Sequence, residues 1–146
     1  ITVDKNGNAT GEYAGVKPSA ETLIHCVLYE LFPQTRVILH SHSVFPVLMS
    51  NMYQHQVPFE GYEVQKGFAG ETTHEATVHI PIFDNTQDMV DFSQTLRSNQ
   101  AAIRHHSFIM RRHGTYAWGT SLFEAKRHLE TLEYLSEVHY RNSLLK

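Results

Sequence analysis

The stretch Arg36-Val37-Ile38-Leu39-His40-Ser41-His42 decides how this chain is read. Its apolar and β-branched residues predict a buried strand, and two histidines separated by one serine stand at its end. Side chains in a strand repeat every second residue, so both imidazoles leave one face, roughly 6.5–7 Å apart at the backbone. From there both can reach a single metal ion at about 2.0–2.1 Å. Taken alone, His-x-His is a weak signal, and two solvated or hydrogen-bonded histidines are its commoner meaning.

A third histidine strengthens it. His113 follows the strand-like run Phe108 to Arg112 and precedes Gly114, where a missing Cβ permits close approach of backbone and ligand. Three histidines from two strand ends make a catalytic type of metal site, with a coordination position left open. The chain has eleven histidines, more than ordinary composition supplies. His74 and His79 compete for the third place. His79 falls inside an expected strand, where packing or surface exposure is the default. His105, His106, His128 and His139 read as solvated loop or helix residues.

Outward from this centre, Ile1 to Asp4 reads as a short strand and Asn6-Gly7-Asn8 as a turn. Ser19 is a candidate N-cap for a helix over 20–32 with Glu21 in its first turn and Leu23, Val27, Leu28 and Leu31 inward; Pro33 ends it. A helix is expected over 43–53, a strand over 57–60, a short helix over 63–68, a strand over 77–82 and an amphipathic helix over 85–96. Strands over 107–112 and 115–118 meet at Gly114. Ser121-x-x-Glu124 is a capping box opening a long helix to about Arg141. Leu122, Ala125, Leu129, Leu132, Leu135 and Val138 form its expected buried stripe. Helices and strands intermix without repeats or linkers, which gives an α/β or α+β class in a single domain, 1–146.

Composition narrows the functions. Twelve basic against fifteen acidic residues leave a net charge of −3, no footprint for nucleic acid. No apolar run approaches the roughly 20 residues of a membrane span. The one cysteine, Cys26, cannot form an intrachain disulfide, and a reducing cytoplasmic setting is the simplest expectation. Cys26 itself reads as a packed thiol. Tyr116 and Trp118 alternate on a short strand and read as core or interface residues.

Several motifs occur together: Lys17-Pro18-Ser19-Ala20-Glu21-Thr22, His40-Ser41-His42-Ser43 and Arg112-His113-Gly114, in that order. To these add Glu60-Gly61-Tyr62-Glu63-Val64-Gln65-Lys66-Gly67, Thr72-Thr73-His74, Ile80-Pro81-Ile82-Phe83-Asp84-Asn85-Thr86-Gln87-Asp88 and Glu124-Ala125-Lys126-Arg127-His128. The set resembles the class II aldolase/adducin family over nearly the whole chain, and within it the ketose-phosphate dehydratases of methionine salvage. The resemblance implies a three-layer α/β/α domain with a mostly antiparallel central sheet, and a homotetramer. It implies Zn2+ held by His40, His42 and His113, with Glu63 as general acid/base. Glu21 matches a carboxylate that can ligate the metal until substrate displaces it, and Ser19 a residue near the substrate phosphate. A carboxylate at position 63 suits that task if partial burial raises its pKa. The family also carries an N-terminal Ser/Gly/Asn-rich phosphate loop that does not precede Ile1, so the domain reads as lacking its N-terminal segment. Aldolase or epimerase chemistry on a ketose phosphate, and a non-catalytic adducin-like module, are the alternatives.

Overall fold

The computed structural model describes residues 1–145, which form two compact units. The first comprises 1–35 and 86–100. Its opening segment is held by an isolated bridge between Val3 and Ala9 instead of the expected strand. Asp4 closes the turn beneath it, accepting from the amides of Asn6 at 2.8 Å and Asn8 at 2.9 Å. Helix α1 (Thr22–Leu31) and helix α3 (Met89–Ser98) pack together, burying Ile24, Val27 and Leu28 from one and Phe92 and Leu96 from the other. Arg97 pairs with Glu30 at 2.6 Å, and the Gln100 amide reaches the Leu31 carbonyl at 2.7 Å.

Both helices start later than their sequence suggests. Ser19 is not the N-cap of α1; that position belongs to Glu21, and Ser19 Oγ bonds the Glu21 carboxylate in a turn before the helix. A serine that satisfies a neighbouring side chain locally holds the backbone out of helix. In α3 the Asp88 carboxylate accepts from the amides of Val90 and Asp91, both at 3.0 Å, so the helix opens at Met89 and not at Asn85.

The second unit, 36–85 and 101–145 of the described chain, carries a five-stranded sheet. Its strands are β1 (Val37–Ser41), β2 (Gln56–Phe59), β3 (Val78–Phe83), β4 (Ser107–Met110) and β5 (Gly114–Gly119). Their order is β1-β5-β4-β3-β2. The α/β class is as expected, but the sheet is mixed instead of mostly antiparallel, because β3 and β4 run parallel. Chain topology explains this. The chain leaves β3, passes through α3 and returns as β4, a crossover of the length that parallel neighbours need. The other neighbours are antiparallel, and β4–β5 is a hairpin.

Every residue of β4 and β5 is buried, and the core below them gathers Met49, Val57, Phe59, Phe68, Val78, Ile80, Ile82, Ile109, Leu132 and Leu135. Full burial of side chains of this size is worth roughly 1.5–3 kcal/mol each. Helix α2 (Val44–Met52) and helix α4 (Leu122–Ser143) supply the rest of this unit. Among the described residues no helix is long and apolar enough to cross a membrane.

Helix α4 departs from its expected stripe. Ser121 caps it, accepting from the Glu124 amide at 3.2 Å, but the Glu124 carboxylate returns to Thr120 instead of Ser121. The buried face is Ala125, His128, Thr131, Leu132, Leu135 and Ser136, while Leu122 is exposed. His128 is therefore core, not solvated: its Nδ1–H donates to the Trp118 carbonyl at 2.7 Å, which fixes the tautomer. His105 is also buried, with Nδ1 against the Ala69 carbonyl at 3.0 Å, and His139 is half-buried, 2.6 Å from the Tyr53 hydroxyl.

Burial holds the pKa of His128 below its usual 6.5, and does the same to His106, whose ring lies near it. Above pH 6.5 both forms of the protein carry these groups neutral. Below it the unfolded chain takes up the protons first, so stability falls as pH drops towards the folded-state value. Denaturant unfolding of the metal-free protein at about pH 7.5 and about pH 5.5 should show this loss, and His128→Gln should flatten it. Identical slopes in both proteins would remove His128 from the acid response.

Candidate metal centre

The site is built by the antiparallel pair β1–β5. Its register sets His40 opposite Tyr116 and Ser41 opposite Thr115, which brings the end of β1 against Gly114. A Cβ on Gly114 would stand 2.2 Å from the Ser41 carbonyl oxygen and 3.2 Å from His42 Cδ2. Glycine is required here by space, in line with its expected role of permitting close approach.

Three imidazoles converge as a result. His42 Nε2 lies 3.0 Å from His40 Nε2 and 3.2 Å from His113 Nε2. All three ligand atoms fall within 4.8 Å of one another. His40 Nδ1 is 2.9 Å from the Thr115 carbonyl oxygen, which can only accept, so Nδ1 carries the proton and Nε2 turns its lone pair inward. The His40 ring also stacks on Tyr116, centroids 4.2 Å apart. Tyr116 is fully buried, as its place on an alternating strand implies.

The donor set fits a divalent metal. Nitrogens about 2.0–2.1 Å from a tetrahedral ion stand roughly 3.3–3.4 Å apart, close to the separations of the two neighbouring pairs. The outer nitrogen of His40 is bonded to a backbone carbonyl, the usual support of a ligating imidazole. Among the described residues this is the group of His, Cys, Asp or Glu side chains placed to hold an ion.

His113 reaches its place through a strained turn. Arg112 adopts φ 55°, a left-handed conformation costing roughly 1–2 kcal/mol for a side-chain-bearing residue. Its amide donates to Ser50 Oγ at 3.0 Å and its guanidinium to Asn51 at 2.9 Å. The preceding Arg111 spreads its guanidinium over the carbonyls of Ser50, Tyr53 and Gln54 at the end of α2 and over Asp84. A cation at a helix C-terminus satisfies its orphan carbonyls. The sequence alone gives neither arginine a role; the only signal either carries there is adjacency to His113.

Glu63 sits elsewhere in the same unit, in the 3-10 turn Glu63–Gly67. Its carboxylate meets Lys66 Nζ at 2.5 Å and His74 Nδ1 at 3.4 Å, and its side chain is 71% exposed. The condition that partial burial raise its pKa is not met. The Lys66 hydrogen bond holds the carboxyl below its usual range, outweighing the opposing desolvation, and the charges of Lys66 and His74 add to it. What fixes this corner is Gln65, to which the sequence assigns no role of its own. It is fully buried, and its amide nitrogen donates to the carbonyls of Thr73 at 3.2 Å and Ala76 at 2.6 Å on either side of the His74 segment. Gly67 lies so close to Thr131 of α4 that a Cβ would stand 2.1 Å from its hydroxyl. Ser19 and Glu21 belong to the first unit, bonded to each other. Cys26, in that unit, is a half-buried thiol whose pKa is raised by burial, then by Asp4.

The chain has counterparts among known proteins. The model of the class II aldolase and adducin N-terminal domain matches residues 1–140. The chain belongs to that family. A methylthioribulose-1-phosphate dehydratase of Picosynechococcus sp. is 47% identical over 139 residues, 94% of this chain and 66% of the relative. Another of that name, from Stenotrophomonas maltophilia, is 42% identical over 137 residues, 92% of this chain and 63% of the relative. The chain thus spans just under two thirds of the length of these relatives. Among solved structures, L-fuculose-1-phosphate aldolase from Thermus thermophilus superposes with a TM-score of 0.71 at 22% identity, covering 99% of this chain and 69% of that one. YgbL from Escherichia coli gives 0.68 at 23% identity, covering 87% and 58%. At that identity the likeness shows the fold, which is the α/β fold of the family.

Two substitutions probe the centre. Gly114→Ala should destabilise the protein by about 1–3 kcal/mol, since the added methyl meets backbone that cannot yield. It should also weaken metal binding, because the clash pushes apart the two strand ends that carry the ligands. His42→Ala should lose most bound metal while the fold survives. Wild-type stability and metal content in either variant, read by denaturant unfolding and metal analysis, would contradict the geometry described.

Proposed function

We propose that the protein of which this chain is part removes water from 5-methylthioribulose-1-phosphate, giving 2,3-diketo-5-methylthiopentyl-1-phosphate in methionine salvage. The observation that carries the reading is the convergence of the His40, His42 and His113 nitrogens in a chain 47% identical to a protein of that named activity. A divalent metal, zinc by preference, would supply Lewis-acid polarisation of the substrate's C2 carbonyl and C3 hydroxyl oxygens. The residues of the chain would do the rest. The histidines hold the ion through Nε2, with His40 locked in the required tautomer by Thr115.

Glu63 takes the proton from C3 as that C–H bond breaks. It then returns a proton to the C4 hydroxyl, which leaves as water. The resulting enol tautomerises to the diketone, so atoms balance with no added reagent. Lys66 supports the first half of this sequence, because its hydrogen bond keeps Glu63 ionised and able to accept. Ser19, near the substrate phosphate, and Glu21, as a displaceable carboxylate ligand, keep the roles that family likeness gives them. A homotetramer is part of the same proposal.

The test is dehydration of methylthioribulose-1-phosphate by the full-length gene product, before and after chelation and zinc add-back. Turnover lost on chelation and restored by zinc is the expected result. Glu63→Gln should retain metal and lose at least about 10²-fold in turnover. A folded, metal-loaded protein without turnover would reject the dehydratase reading in favour of an aldolase or epimerase acting on another ketose phosphate. Near-wild-type turnover of the Glu63 variant would reject its acid/base role.

A further inference from the structure

His42 is the most exposed of the three histidines and stands one residue beyond β1. The last paired residue of that strand is Ser41, opposite Thr115, so the ladder does not itself hold His42. Something else must fix its backbone if its ring is to stay within ligand distance of two others. The residues on either side supply the means. Ser41 Oγ and Ser43 Oγ both donate to one carboxylate, that of Glu133 on α4, the former to Oε1 at 3.4 Å and the latter to Oε2.

We propose that Glu133 is a positioning residue for the metal centre, clamping the segment from Ser41 to Ser43 so that His42 is set for ligation. The inference rests on the reading that the triad holds a divalent metal. Three features give the clamp its stiffness. Glu133 lies mid-way along a 22-residue helix, between the buried Leu132 and Leu135. Its side chain is half-buried, which strengthens hydrogen bonds to a charged acceptor. It takes one hydroxyl on each oxygen, so neither serine can swing without breaking a bond. Glu133 touches no ligand atom in this arrangement. It acts through the backbone that carries His42, lowering the ordering cost of binding, as outer supports of metal ligands do.

The effect is readable without turnover. Co(II) affinity would be measured on the full chain by competition with a chromophoric chelator, with the visible Co(II) spectrum as the report on coordination. Unfolding of the metal-free protein would be followed alongside. Glu133→Ala should weaken Co(II) binding by about tenfold or more, the usual size of such supporting interactions, with an unchanged unfolding midpoint. The Ser41→Ala/Ser43→Ala pair should weaken it equally, and adding Glu133→Ala to the pair should cost nothing more, because one interaction is being removed twice. Unchanged affinity in a folded Glu133→Ala, or losses that add in the triple variant, would overturn the clamp. If Glu133→Ala does not fold, the serine pair decides: wild-type affinity there overturns the proposal. A wild-type protein that binds no Co(II) would overturn the metal reading and the clamp with it, whereas binding insensitive to these substitutions overturns the clamp alone.

Discussion

The close approach of Gly114 to the Ser41 carbonyl is the constraint on which the site depends. It lets the end of β1 press against the start of β5, and so brings His42 within 3.2 Å of a histidine 71 positions away in sequence. The same strand pairing places the Thr115 carbonyl against His40, so one backbone register both gathers the ligands and sets a tautomer. Arg111 and Arg112 hold the other side of the contact. Their bonds to the end of α2 offset the left-handed backbone at Arg112 and keep the β4–β5 turn where His113 needs it.

Helix α4 ties the parts of the second unit together. Thr131 presses on Gly67 below the Glu63 turn. Glu133, two residues on, grips the serines around His42. His128, about one turn earlier, bonds to Trp118 in the buried strand β5. A helix anchored by Leu132 and Leu135 in the core thus acts as a common support for the Glu63 turn and the histidine cluster. The two candidate groups for chemistry are held differently. His40 is placed by strand pairing and His113 by the tight β4–β5 turn, whereas Glu63 is an exposed carboxylate on a short 3-10 turn, paired with Lys66.

Much of this architecture is legible in the amino-acid sequence. Apolar runs bounded by glycine, proline and capping residues mark nearly every element, and the period of two in a strand is enough to pair His40 with His42. What the sequence conceals is long-range. That Ser121-x-x-Glu124 opens α4 can be read locally, but which α4 face turns inward depends on β5, so His128 reads as solvated and Leu122 as buried when the opposite holds. The parallel β3–β4 pair cannot be read from either strand, since direction is set by where the intervening helix returns the chain. Gln65 and Glu133 are hidden for a related reason. Their partners, two carbonyls in one case and two hydroxyls in the other, have no sequence pattern that sets them apart. Ser19 and Glu21 show the opposite failure: a strong local capping signal gives way to a bond between the two side chains themselves.

The coordination of the metal is the most direct test. Zinc titrated into the metal-free protein should saturate at one ion per chain, and X-ray absorption of the loaded protein should show imidazole nitrogens at about 2.0–2.1 Å as the dominant protein ligands. Three such nitrogens, reduced in number when His42 is replaced by alanine, is the result the structure predicts. No stoichiometric site, or a coordination shell of oxygens indifferent to His42, would contradict it.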